Sequence, residues 1–197
     1  MAATVKVGRP REFDREKALE EAMKVFWAKG YDGASLSELT EAMGINKPSV
    51  YAAFGDKRRL FDEAVERYSA GPWNFAKRAY EMRTAKETVR ALLEGAMGIA
   101  VTEDGPGGCL YTRASLSSGV SVRDAVVGRR LAAEGKLQAR LRKAQKSGEL
   151  PAEVNCAALA KYVSTMVQGI AVQGAGGASR RELKAVVEVA MGAWPGK

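Results

Sequence analysis

The feature that most constrains this chain is a tight corner, Met43-Gly44-Ile45-Asn46, between two short helical segments. Ser35-Leu36-Ser37-Glu38 reads as a capping box, in which Ser35 and Glu38 each close an orphan backbone N–H at a helix start. The start predicts a helix over 36–43, and Gly44 stops it, since glycine tolerates the left-handed backbone of a helix end. Asn46 then caps a helix over 47–54, with Pro48 accommodated in its first turn. Leu39 and Ile45 pin the two together, and so sharp a corner makes the second helix project, as in a helix-turn-helix. That helix carries small residues on one side, which allows close approach to base edges.

The rest of the chain follows the same grammar. Apolar residues recur at spacings of three and four, with few alternating β-branched runs. Asp14 caps a helix to about residue 29, with Leu19, Ala22 and Phe26 on one face and Gly30 as its stop. Asp56 caps a fourth helix that opens Lys57-Arg58-Arg59. Further starts fall at Thr84, Cys109, Ser121, Asn155 and Ser179. The expectation is an all-α protein of nine helices.

Charge and composition narrow the chemistry. The 197 residues are 46% hydrophobic, enough for a proper core, and carry a formal net charge of +8. A basic balance suits a polyanionic partner, nucleic acid or an anionic membrane surface. Residues 1–59 hold 11 Lys/Arg against 9 Asp/Glu, so a DNA site there must be a local patch. No apolar run approaches the roughly 20 residues of a membrane-spanning helix. The N-terminus has no signal-peptide core, and a cytoplasmic protein is expected. Histidine is absent and only Cys109 and Cys156 represent cysteine. This removes His-dependent catalysis and most zinc sites, so no catalytic set, metal or cofactor is expected.

The stretch from Gly8 to about Tyr68 resembles the TetR (tetracycline repressor) family of transcriptional regulators. The resemblance rests on Gly8-Arg9-Pro10-Arg11, Ala22-Met23-Lys24-Val25-Phe26, Gly30-Tyr31, Ser35 to Met43, and Gly44-Ile45-Asn46-Lys47-Pro48-Ser49-Val50-Tyr51. It ends with Phe54-Gly55-Asp56-Lys57 and Leu60-Phe61. It implies a nine-helix fold, a helix-turn-helix domain over 1–55 with a basic arm, and a ligand-binding, dimerising domain over 56–197. The implied partners are double-stranded DNA with a near-palindromic operator, a small-molecule effector, and a second copy of the chain. The implied action is repression relieved by the effector. Tyr51 and Lys57 match phosphate-contacting positions, and Ser35, Ser37, Lys47, Pro48 and Ser49 match positions that contact backbone or bases. Ala52 and Ala53 depart from the larger residues usual there, although the Ala52 methyl can still meet a thymine methyl. Arg9 and Arg11 could lie along or in the minor groove.

In the body, Leu159, Tyr162, Val163, Met166, Val167 and Ile170 form one apolar stripe. Leu183, Val186, Val187, Ala190 and Met191 form a second, and together the two predict a four-helix dimer interface. An effector cavity is expected among Trp73, Phe75, Tyr80, Met97, Cys109, Leu110, Tyr111, Arg113, Leu116 and Met166. Cys109, at a helix start with Arg113 four residues on, is a candidate low-pKa thiol. Two other classes stay open: an enzyme using Cys109 as nucleophile, and a membrane-surface protein using the basic stretch 123–146.

Overall fold

The structure, a computed structural model, describes residues 13–196 apart from Asp104, Ser117 and Ser118. Every regular element among them is helical. Helix α1 (Arg15–Gly33), α2 (Leu36–Met43), α3 (Lys47–Phe54) and α4 (Lys57–Ala70) make the head. A 3-10 turn (Pro72–Asn74) and α5 (Phe75–Ala79) lead to α6 (Ala85–Ala100). Then follow α7 (Leu110–Ser115), α8 (Val120–Lys146), α9 (Cys156–Ala175) and α10 (Arg180–Gly192).

Among the described residues the count is ten helices rather than nine. The extra one, α5, has five residues and neither a side-chain cap nor an apolar period of its own. It forms because Phe75 packs against α6, where Gly95 leaves room for its ring: a Cβ there would stand 2.0 Å from Phe75 Cδ2. Two boundaries also move. Helix α8 is entered from Gly119 rather than capped by Ser121. The chain also does not leave α1 at Gly30; that residue (φ 72°) kinks the helix, which resumes for one short turn to Gly33.

Apart from Ser121, the side-chain caps legible in the sequence hold. Ser35 with Glu38, Thr84 with Glu87 and Ser179 with Glu182 all form reciprocal capping boxes. Gly44 closes α2 in the left-handed region (φ 65°).

Two apolar cores run through the molecule. One is centred on Phe26, Leu39, Val50, Leu60, Phe61 and Tyr68 in the head and continues without a break into Leu110, Ala114, Val122 and Val126. The other joins Leu93, Leu137, Leu141, Ile170, Leu183 and Val187. Helix α9 lies hard against α6: a Cβ on Gly174 would fall 2.6 Å from the Ala100 carbonyl oxygen.

Candidate nucleic-acid interface and sensor cavity

Helix α3 has two faces set by its period. Val50 and Phe54 are buried on the head core, and Lys47, Pro48, Tyr51 and Ala52 are exposed opposite them, with Ser49 half-buried at the edge. Tyr51 is half exposed (51%) although it is aromatic, which leaves its ring and hydroxyl available to a partner. Ser35 and Ser37 are exposed at the start of α2, and the Ser35 hydroxyl already donates to Glu38 and accepts from its backbone N–H. Lys57 is half-buried at the start of α4, its Nζ 4.5 Å from the Tyr31 ring centroid. Desolvation there lowers its pKa, partly opposed by Asp32. Arg9 and Arg11 lie outside the described residues.

Side chains lock the head into one unit. Arg15 donates to both carboxylate oxygens of Glu63 at 2.7 and 2.8 Å, and its guanidinium stacks 4.4 Å from the Phe54 ring. Arg67 reaches Glu16 and Glu20 at 2.8 and 2.7 Å. Helix α4 is therefore held to α1 and, through Arg15 stacked on Phe54, to the end of α3.

The same helix is tied to the body three times. Arg58 Nη1 donates to Ser121 Oγ at 2.8 Å, Arg129 of α8 pairs with Glu66, and Ser69 shares a hydrogen bond with the Tyr111 hydroxyl. Tyr68 is fully buried between Trp27 and Tyr111. Its hydroxyl has no well-formed hydrogen bond, and burial, with Cys109 beside it, pushes its pKa well up.

Behind these ties lies a cavity of about 330 Å³. Of the residues expected there, Trp73, Phe75, Tyr80, Cys109 and Tyr111 line it. Five expected residues do not. Met97 and Leu110 are buried in the cores, because their helix faces point at neighbouring helices. Arg113 turns onto the α1 kink, its Cγ 3.6 Å from where a Gly30 Cβ would stand. Met166 packs on the second core, and Leu116 is exposed. In their place come Arg129, Arg130, Glu134 and Leu137 of α8 and Val163, Ser164, Val167 and Gln168 of α9. The α8 residues recur at helical spacing; their mixture of charge and alanine conceals an inward face.

Cys109 reverses expectation. It is buried (4% exposed), and burial raises its thiol pKa more than the donors of Thr112 and the nearby Tyr68 hydroxyl lower it. A six-residue helix start and a displaced arginine do not offset that desolvation. With the pKa raised above the usual thiol value, less thiolate exists at neutral pH. Iodoacetamide should therefore modify Cys109 more slowly than a free thiol at about pH 7.5; a faster rate would contradict the burial argument.

The dimer stripe is also revised. Val163, Ile170, Leu183, Val187 and Ala190 are buried within the protomer, as is Met191, and so contribute to its core rather than to a second surface. Val167 lines the cavity, and Leu159 is half-buried against the second core. Tyr162 (40% exposed) and Val186 remain outward. They are joined by Ala158, Thr165, Gly169 and Val172 on α9 and by Ala185 and Val189 on α10. Among the exposed α9 residues, 158-162-165-169-172 form one stripe that steps by four and three without a charge, with Lys161 beside it. That uncharged period is the signal the sequence offers.

An all-helical fold with a projecting, uncovered second helix in its helix-turn-helix, tied through α4 to a cavity-bearing body, defines a DNA-binding regulator. Residues 18–64 match the bacterial regulatory proteins of the tetR family, and residues 85–189 match the tetracyclin repressor-like C-terminal domain. The chain is 31% identical to the HTH-type transcriptional repressor ComR of Escherichia coli K12 over 95% of its own length and 92% of ComR. It is 48% identical to the repressor BdcR of the same organism over 31% of each chain. Among solved structures, a cysteine mutant of the TetR family regulator CifR, complexed with 26-bp double-strand operator DNA, superposes with a TM-score of 0.89. That match has 39% identity and covers 95% of this chain and 100% of the other. The protein belongs to the TetR family: it is a DNA-binding transcription regulator, not an enzyme. No helix among the described residues is long and apolar enough to cross a membrane.

Proposed function

We propose that this protein is a homodimeric repressor that leaves a near-palindromic operator when a small molecule fills the body cavity. The observation that carries the reading is the triple attachment of α4 to the cavity side of the body, combined with its locking to α1. Two attachment residues, Arg129 and Tyr111, are themselves cavity wall. A ligand that displaces either shifts α4 and with it the head. In a two-fold dimer, heads must sit one helical turn of DNA apart, roughly 34–36 Å. A ligand with higher affinity for the mis-spaced state therefore lowers operator affinity. ComR and BdcR are both named repressors, which favours that sign of control. The working division is a DNA-binding domain over 1–55 and a sensing and dimerising domain over 56–197; α4 packs in the head but is counted with the second domain as its lever.

Lys47, Pro48, Ser49, Tyr51 and Ala52 are assigned to the major groove, and Ser35, Ser37 and Lys57 to its flanks; Arg9 and Arg11 are assigned to the arm. Selection of bound fragments from random duplexes should return sites with two inverted half-sites. Tyr51→Phe and Lys57→Ala should weaken all sequences alike. Lys57→Ala should also flatten the log-log salt dependence by about one unit for each phosphate it no longer neutralises. Lys47→Ala should change base preference instead. Unchanged affinity and preference in all three would place the DNA surface elsewhere.

A further inference from the structure

We propose that the cavity is built for an effector with an aromatic or otherwise apolar body and a single anionic group, and that Arg130 is the residue that receives the anion. This rests on the reading of the cavity as the effector site. Trp73, Phe75, Tyr80 and Tyr111 give the cavity broad ring surfaces, and Leu137, Val163 and Val167 add aliphatic wall. Such walls suit a flat apolar molecule.

The charges in the wall discriminate further. Arg129 is neutralised by Glu66, and Glu134 by Lys161 at 2.7 Å. Arg130 has no such partner: among the described residues no carboxylate pairs with it. Its Nη1 donates to Gln168 Oε1 at 2.7 Å, and Gln168 Nε2 in turn donates to the Ser164 carbonyl at 3.0 Å. That chain fixes which end of the Gln168 amide faces Arg130 and holds the guanidinium by one nitrogen. Among the described residues no hydrogen bond engages its other donors, which a ligand can take. A half-buried guanidinium beside apolar walls is costly to leave uncompensated, and a carboxylate is the group its fork of donors matches. Gln168 is thus a positioning residue, and Arg130 the contact.

The test uses the full-length protein and a pair of probes of equal shape, naphthoate and naphthamide, titrated by calorimetry at neutral pH. Naphthoate should bind at least about tenfold more tightly, the range of one charge-assisted hydrogen-bonded pair. Arg130→Gln should abolish that preference, and Arg123→Gln, on the same helix but outside the cavity, should retain it. Thermal unfolding of both variants establishes that they fold. Equal binding of the two probes, or a preference that survives in Arg130→Gln, overturns the proposal. If both probes bind equally and still release operator, the cavity reading stands without the anion. If neither probe binds, both readings fall.

Discussion

The double variant Val186→Glu/Val189→Glu is expected to be a folded monomer that has lost most of its operator affinity. Val189 is 76% exposed and Val186 42%, three residues apart on α10, so neither change touches the protomer core. In a two-fold interface the same patch meets itself, so carboxylates introduced on one protomer face those of its partner. Like charges in a desolvated patch oppose association. Without the dimer, the second head no longer binds at the effective concentration set by the first, an advantage of about 10²–10⁴ in avidity. Sedimentation should show half the wild-type mass, circular dichroism an unchanged helix content, and operator binding a fall of that size. A variant that stays dimeric with wild-type affinity would sink the assignment of this face.

Phe26→Ala is expected to be the most damaging single truncation of the head. Phe26 is fully buried, edge-on to Phe61 at 5.1 Å between centroids and stacked with Tyr31 at 6.3 Å. Removing so large a buried ring costs about 3–5 kcal/mol, a large part of the roughly 5–15 kcal/mol that separates a domain from its unfolded state. The damage should spread, because Tyr31 supports Lys57 and Phe61 belongs to α4. Urea titration should show a lower midpoint, and operator binding should fail at temperatures where wild type is intact. A stability change under about 1 kcal/mol, well below the cost of deleting a buried ring, would mean that the ring cluster does not hold the head together.

How far the sequence can be read differs between head and body for a physical reason. In the head, information is local. Ser35 with Glu38, Asn46 with Ser49 and Gly44 satisfy one another within a few residues, so the helices, the corner and the exposed face of α3 follow from spacing alone. The three capping boxes are legible for the same reason.

The body's cavity and interface depend on which side of each amphipathic helix meets which neighbour. The stripe Leu159-Val163-Met166-Val167-Ile170 is apolar whether it faces another protomer or its own core, and only packing against α6 and α8 assigns it inward. The outward stripe through Tyr162 and Val172 is less apolar, so a search for the most apolar face finds the protomer's own core. Cys109 follows the same logic: sequence places it at a helix start, and tertiary packing decides that desolvation outweighs the helix end. Arg130 reads in sequence as one more cation on a basic helix, and only the structure shows that its neighbours Arg129 and Glu134 are paired elsewhere. By itself the sequence determined nine of the ten helices among the described residues, most of their caps and the exposed face of α3, because those rest on interactions within a few residues of chain; α5 is missing from that reading because it forms only through the packing of Phe75 on α6. Tertiary structure alone decided the cavity, the outward stripe and the Arg130 guanidinium that no carboxylate among the described residues pairs with, because each is a relation between helices far apart in sequence.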